Sequence, residues 1–187
     1  MKNFSEIKYW YHGTTSEQVA SIKRGINVAH RPRPCDFGIG FYLTSNVNQA
    51  RKWAQRKAKM AVKKKTDTQA AVLTFCFDNT EEFDCKEFSL DKEFFEFLYL
   101  NRIELGTRPS ENLHTYDMVY GHVLDGKRDW DVVLENIKTG RTSVEKAKEQ
   151  LIGQYISNDQ LAICNQVIAN RLILKKEEYL DVHSKIN

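Results

Sequence analysis

Hydrophobic residues follow two spacings along the chain, which predict a mixture of strands and helices. Aromatic and β-branched runs bounded by turn residues predict strands, whereas apolar residues recurring every three to four positions predict helices. The predicted strands cover residues 7–11, 40–44, 71–77, 118–124, 161–164 and 173–180. The predicted helices cover residues 17–24, 46–64, 90–102, 131–139 and 143–152, and a short helix separates the last two strands. Because the helices are inserted between runs of strands, we expect an α+β domain over residues 1–187.

Turn and cap residues mark the expected ends of the strands and helices in the first third of the chain. His12-Gly13-Thr14-Thr15 follows the first aromatic strand and is expected to form a turn. Ser16 is expected to cap the first helix, which should stop at Gly25. Segment 29–38 contains two prolines and two arginines, so we expect a loop there.

Composition narrows the class of protein only moderately. The 187 residues suffice for one core without disulfides, and the apolar (41%) and charged (28%) fractions are those of an ordinary soluble protein. A net charge of +3 does not by itself indicate nucleic-acid binding. The four scattered cysteines form no CxxC pair, so we expect reduced thiols and no metal site. With no signal-peptide pattern and no apolar run of about 20 residues, the expected compartment is the cytoplasm.

Three short segments, far apart in the chain, carry residue types suited to binding a nucleotide. They are His12-Gly13-Thr14, the segment 36–44 (Asp-Phe-Gly-Ile-Gly-Phe-Tyr-Leu-Thr) and Asp159-Gln160. Glycines let a ligand approach the backbone, and a histidine can exchange hydrogen bonds with a sugar hydroxyl. The two glycines are not a dinucleotide fingerprint, because no helix follows them. Together with an aromatic residue that can stack on a flat ring, these segments favour nicotinamide as the base.

The order of these segments resembles the His-Tyr-Glu class of ADP-ribosyltransferases, the diphtheria-toxin-like and poly(ADP-ribose) polymerase-like branch. In that class, a His-Gly pair binds the nicotinamide ribose and carboxamide, and a Tyr stacks on nicotinamide. A second aromatic residue about eleven positions later completes the sandwich. His12-Gly13, Gly38-Ile-Gly-Phe-Tyr42 and Trp53 occupy the corresponding positions. The resemblance implies a split β-sheet core with inserted and flanking helices, and NAD as co-substrate without a metal.

The chain is still more similar to a bacterial family of proteins of unknown function that is related to this class. Tyr11–Thr14, Asp36–Thr44 and Ala50–Ala54 reproduce three motifs of that family. Later motifs of the family fall on Asn101-Arg102, on 117–121 (Asp-Met-Val-Tyr-Gly) and on Asp159-Gln160. The resemblance therefore extends over residues 9 to 175.

One position departs from the polymerase-like pattern. Those enzymes carry Glu on the late strand, whereas Gln160 occupies that position here. A Gln side chain can hydrogen-bond a ribose hydroxyl, but it carries no charge and cannot act as a base. The substitution disfavours chain elongation and leaves single transfer to a good nucleophile. An alignment shifted by six residues would place Gln154 there instead.

The resemblance implies an NAD site with His12, Tyr42 and Gln160 in catalytic roles. Its expected binding residues are His12, Gly13, Thr14, Arg31, Arg33, Gly38, Gly40, Phe41, Tyr42, Thr44 and Trp53. Arg31 and Arg33 could pair with the pyrophosphate through their forked donors, or they could belong to a solvated loop. Asp36 is expected to brace the glycine turn.

Residues 51–65 contain eight basic side chains and no acidic one. Such a run is typical of a solvated helix face. The alternative is a docking surface beside the NAD site for a nucleic acid or an acidic protein.

Three functions fit these residues. The first is a mono-ADP-ribosyltransferase that modifies a protein or nucleic acid. Many bacterial enzymes that it resembles are toxins or effectors, which implies a neutralising antitoxin as partner and delivery into a host or competitor cell as an alternative to the cytoplasm. The second is an NAD glycohydrolase, and the third is a degenerate module that binds NAD or ADP-ribose without turnover.

Overall fold

The computed structural model describes residues 3–30, 35–62, 68–78, 83–104, 111–124, 129–151 and 158–181. Its strands are β1 (Trp10–Thr15), β2 (Phe41–Leu43), β3 (Ala70–Phe77), β4 (Cys85–Glu87), β5 (Met118–His122), β6 (Asp159–Ile163) and β7 (Leu172–Leu180). Its α-helices are α1 (Ser16–Arg24), α2 (Val47–Val62), α3 (Lys92–Tyr99), α4 (Trp130–Lys138), α5 (Val144–Leu151) and α6 (Gln166–Ala169). A 3-10 turn covers Phe4–Glu6, and α3 continues into a π-helical turn over Leu100–Glu104.

The described strands form two sheets, which confirms the α+β class. One sheet has the order β1-β3-β7 and is antiparallel throughout. The other has the order β2-β6-β5-β4, in which only the β4–β5 pair is parallel. In the described part of the chain, no helix combines the length and the apolar character needed to cross a membrane.

The main core contains apolar side chains from both sheets. Its buried members include Trp10, Phe41, Leu43, Leu73, Phe75, Met118, Tyr120, Leu161 and Ile163. Trp10 and Tyr120 meet edge to face, with ring centroids 5.4 Å apart. Because successive strand residues point to opposite faces, Leu161 and Ile163 enter this core whereas Gln160 and Ala162 face the other way.

On that other face, helices α3, α4 and α5 cover the second sheet. Buried residues of this layer include Phe37, Phe94, Phe95, Leu98, Val119, Trp130, Leu134 and Ala162. Helix α3 is rich in aromatic residues and buries Phe94, Phe95, Phe97 and Leu98.

Helix α2 packs on β1 and β3 through a narrow stripe of alanines. Ala50, Ala54 and Ala58 are buried at four-residue spacing against Ala70 and Val72. The helix approaches β1 so closely that a Cβ atom on Gly13 would collide with the carbonyl oxygen of Ala50. Gly13 thus has a packing role independent of any ligand.

Several expected boundaries differ from the structure. His12–Thr15, expected in a turn, lie within β1, because Trp10–Thr15 pair continuously with Ala70–Phe75 of β3. The expectation that Ser16 caps α1 is wrong: Thr15 occupies the cap position, and the Ser16 hydroxyl meets that of Thr68 at 3.0 Å. The end of α1 at Gly25 is confirmed.

Two further differences concern the middle of the chain. The short strand β4 pairs with β5 over three residues and has no clear apolar alternation of its own, so it was not expected. Helix α2 extends to Val62, and the expected extension through Lys63 and Lys64 lies outside the described residues, as does Lys65.

Candidate functional site

Strands β1, β2 and β6 lie side by side and bring together the three segments singled out in the sequence. The two sheets are joined by a bridge between Tyr11 and Thr44, with N···O distances of 2.8 and 3.0 Å. On its other side, β2 pairs with β6, so Tyr42 lies opposite Ala162. His12, Tyr42 and Gln160 are therefore carried by three adjacent strands.

His12 is held in one tautomer by the backbone of β2. Its Nδ1 lies 2.8 Å from the carbonyl oxygen of Tyr42. Because a carbonyl only accepts, Nδ1 donates this hydrogen bond, and Nε2 is left as an acceptor. The imidazole stacks on Phe41, with centroids 4.4 Å apart and an interplanar angle of 22°.

The charge state of His12 follows from its surroundings. Burial lowers the pKa of His12 from 6.5 to about 3, and the positive charge of Lys57 contributes in the same direction. The side chain is therefore neutral near pH 7. A neutral imidazole at this position can accept a hydrogen bond from a hydroxyl group through Nε2, and it carries no positive charge.

Tyr42 uses its hydroxyl to fix the loop that precedes β2. The hydroxyl donates to the carbonyl oxygen of Gly38 at 2.7 Å and accepts from the N–H of Phe37 at 3.1 Å. Burial raises the pKa of Tyr42 well above its ordinary value, so the hydroxyl keeps its proton.

The glycine loop is further closed by Asn112, which the sequence analysis did not single out. The Asn112 amide accepts from Ile39 N at 2.6 Å and donates to Ile39 O at 2.9 Å. Gly38 has a φ of 81°, and a Cβ atom on it would collide with the Asn112 side chain. Gly40 lies immediately before β2, against the backbone of Ile163.

Gln160 belongs to a polar chain that crosses from β6 to the helical layer. Its Nε2 lies 2.6 Å from Asp36 Oδ2 and 3.3 Å from the carbonyl oxygen of His122. The other oxygen of Asp36 meets Arg102 Nη1 at 3.1 Å, and Arg102 Nε meets Asp131 at 2.8 Å. Asp36 thus contacts Gln160 directly, a role different from the expected bracing of the turn.

Next to Gln160, Asp159 occupies a buried network that fixes the corner between β2 and α2. The side chain is 4% exposed and accepts from the Thr44 hydroxyl at 2.7 Å and from the Tyr120 hydroxyl at 2.8 Å. Ser45 also donates to it, through its N–H at 2.8 Å and through its hydroxyl. Thr44, expected to bind NAD, is buried and holds this corner together.

The other expected site residues differ in exposure. Thr14 is buried, and the carbonyl oxygen of Gly13 accepts from Lys57 Nζ at 2.8 Å. Trp53 is 47% exposed, with Arg56 and Lys57 at 5.5 and 5.8 Å from its ring. Its ring is therefore accessible for stacking.

The expected site residues also include three that are not among the described residues. Arg31, Arg33 and Gln154 lie outside the described residues. Gln160 is described and lies on β6, the strand adjacent to β2.

The described part of the basic segment 51–65 divides into two groups. Arg51 forms a two-pronged pair with Glu178, and Lys57 is directed to the Gly13 carbonyl oxygen. Lys52, Arg56 and Lys59 are exposed. These three residues, with Gln55 and Met60, line a shallow surface depression of about 400 Å³.

The fold and the site define an α+β domain with polar side chains, among them His12, Thr44 and Asp159, at the junction of its two sheets. The chain belongs to the DUF3990 family, described as proteins of unknown function, whose family model matches residues 9–174. This match confirms the expected membership in a family of unknown function. Neither the comparison with curated proteins nor the comparison with solved structures found a match.

Proposed function

We propose that this protein is a mono-ADP-ribosyltransferase that uses NAD as co-substrate and modifies a macromolecular acceptor. The observation that carries the proposal is the junction of β1, β2 and β6, where His12 Nδ1 donates to the Tyr42 carbonyl oxygen at 2.8 Å. Two sheets meeting at this junction also support the ADP-ribosyltransferase-like split-sheet arrangement.

In the proposed reaction, the bond between C1′ of the ribose and the nicotinamide nitrogen breaks, and its electron pair remains on nicotinamide. The nucleophile of the acceptor forms a new bond to C1′ and releases a proton. The products are ADP-ribosylated acceptor, nicotinamide and one proton. Positive charge develops on the ribose in such a transition state, as in other glycosyl transfers.

The residues of this chain would bind and orient the nicotinamide riboside. Neutral His12 accepts from a ribose hydroxyl through Nε2, and the rings of Tyr42 and Trp53 supply stacking surfaces. Gln160 offers an uncharged oxygen to a second hydroxyl. Because neither His12 nor Gln160 is a strong base here, the acceptor must bring its own good nucleophile.

The exposed basic side chains Lys52, Arg56 and Lys59 support an acceptor with negative charge, either a nucleic acid or an acidic protein surface. All three lie on α2, the helix that carries Trp53, and Lys52 directly precedes Trp53 in the sequence. A toxin or effector role, with a neutralising antitoxin, rests on the resemblance to bacterial transferases alone.

One observation favours a second function, the binding of NAD or ADP-ribose without turnover. The side-chain amide of Gln160 already donates to the Asp36 carboxylate. An amide cannot act as a general base, so it cannot remove a proton from the nucleophile of an acceptor. NAD hydrolysis in the same site, with water as the acceptor, is the third outcome.

These functions can be separated by measuring where the label of adenosine-labelled NAD is found after the reaction. Purified protein is incubated with NAD labelled in its adenosine half, with and without cell lysate, beside the folded His12→Ala variant. We expect His12-dependent label on a macromolecule. Free labelled ADP-ribose would instead identify a glycohydrolase, and intact NAD with measurable binding would identify a binding module.

A further inference from the structure

The carboxylate of Asp36 is in direct contact with the side chain of Gln160, although 124 positions separate the two residues. Asp36 comes from the loop before β2, and Gln160 from β6. The Asp36 side chain is 13% exposed and is paired on its other oxygen with Arg102. Burial raises the pKa of Asp36, and both Arg102 and the Gln160 amide oppose that effect.

The hydrogen bonds of Gln160 can be counted completely at its amide nitrogen. Asp36 Oδ2 and the His122 carbonyl oxygen can only accept, so the amide atom that faces both is Nε2. Its two N–H groups are then both used. Oε1 is left as the free end of the amide, and none of the described residues donates to it.

A carboxylate that accepts from the N–H of an amide also changes the strength of the amide oxygen as a hydrogen-bond acceptor. Hydrogen bonds in a chain polarise one another. A negatively charged acceptor at the N–H shifts electron density within the amide from nitrogen toward oxygen. The Gln160 Oε1 atom therefore becomes a stronger acceptor than the oxygen of an isolated amide. The Arg102 partner keeps the Asp36 carboxylate fixed in the orientation that this requires.

We infer that Asp36 is a positioning residue for ADP-ribose transfer, whose carboxylate orients and polarises the Gln160 amide so that Oε1 receives a hydroxyl of the NAD ribose. This inference rests on the proposed function. It also explains why residue 160 is Gln. A Glu at this position would place a second carboxylate against Asp36, and two adjacent carboxylates cannot both ionise without repulsion.

A charge-swap series tests the pair. Asp36→Asn keeps an acceptor oxygen for the Gln160 amide but removes the charge, and it should lower kcat about 10- to 100-fold with little change in KM for NAD. Gln160→Glu should also lose activity and melt at a lower temperature, because it creates the carboxylate pair. In the double variant, the new amide at position 36 can donate to the new carboxylate at position 160, so both melting temperature and kcat should recover relative to Gln160→Glu.

Glu96→Gln is the matched control, because it removes one negative charge from an exposed ion pair with Lys92 on α3. Its kcat should remain within about fivefold of wild type. Wild-type kcat in Asp36→Asn, or a Gln160→Glu protein as active and as stable as wild type, would overturn the inference alone. No NAD binding or turnover by the wild-type protein would overturn the proposed function, and the inference with it.

Discussion

His12 Nδ1 donates a 2.8 Å hydrogen bond to the carbonyl oxygen of Tyr42 and thereby links the first sheet to the second. The link fixes the imidazole tautomer, and the stacked Phe41 ring below fixes its plane. A histidine held in this way, with a pKa lowered to about 3, is a neutral acceptor at physiological pH. Its protonation is then coupled to the stability of the fold.

That coupling predicts a loss of stability in acid. The pKa of His12 is 6.5 in the unfolded chain and about 3 in the folded chain, so between these values only the unfolded chain is protonated there. The free energy of unfolding therefore falls as the pH drops from 6.5 toward 3. His12→Asn keeps a donor for Tyr42 but cannot titrate, so its melting temperature should fall less between about pH 7 and about pH 4. The exposed His30, changed to Asn, is the control, and equal slopes for wild type and His12→Asn would contradict the assignment.

Much of the fold was predictable from local patterns. β3 appears as a run of apolar and β-branched residues, β7 begins with three apolar residues, and helices α2, α4 and α5 follow from their spacing. The pattern could not show that β1 continues through His12–Thr15, because that extension depends on pairing with β3. Trp53 and Met60 fall on the apolar spacing of α2, yet the buried stripe consists of alanines and both larger side chains are exposed.

The exposure of Trp53 predicts a ligand effect without a stability effect. Because the ring is 47% exposed, Trp53→Ala should change the free energy of unfolding by no more than about 0.5 kcal/mol. If it stacks on nicotinamide, its loss should weaken NAD binding by about 1–3 kcal/mol, by analogy with base stacking. Met60→Ala, on the same helix and 58% exposed, should leave NAD affinity unchanged. Equal affinities for the two variants, measured by calorimetry, would remove Trp53 from the site.

Asp159 should be among the most important polar residues for stability. Its carboxylate accepts from Thr44, Ser45 and Tyr120 inside the protein. Asp159→Asn leaves buried donors facing an amide, at about 1–3 kcal/mol for each donor left unsatisfied. Tyr120→Phe removes one donor only and should cost about 1 kcal/mol. Denaturant unfolding of both variants checks the order, and a smaller loss in Asp159→Asn than in Tyr120→Phe would contradict it.

The exposed basic face of α2 should matter for the acceptor and not for NAD. Changing Lys52 and Lys59 to Gln should weaken acceptor modification, and raised salt should reduce modification by wild type in the same way. The matched control changes Lys175 and Lys176 on β7 to Gln, which removes the same amount of charge from another part of the surface. Normal modification by the Lys52/Lys59 variant at low and high salt would show that the helix face is only solvated.

The site was less predictable than the fold, for a physical reason. Single residues such as His12 and Tyr42 can be recognised by their neighbours in sequence, but their partners are set by long-range packing. The Asp36–Gln160 contact, the Asn112 clamp on Ile39 and the Tyr120–Asp159 hydrogen bond each join distant segments. Asn101-Arg102 and segment 117–121 were noted as family motifs, yet only the structure connects Arg102 to Asp36 and Tyr120 to Asp159. Asn112 carried no signal in the sequence.

NAD binding by the purified protein, measured by isothermal titration calorimetry, tests the central claim most directly. We predict saturable binding at one site, weakened by about 1–3 kcal/mol in Tyr42→Ala through lost stacking and weakened also in His12→Ala. Circular dichroism and thermal melts should first show that both variants are folded. Wild-type affinity in both folded variants, or no binding by the wild-type protein, would contradict the assignment of an NAD site to the junction of β1, β2 and β6.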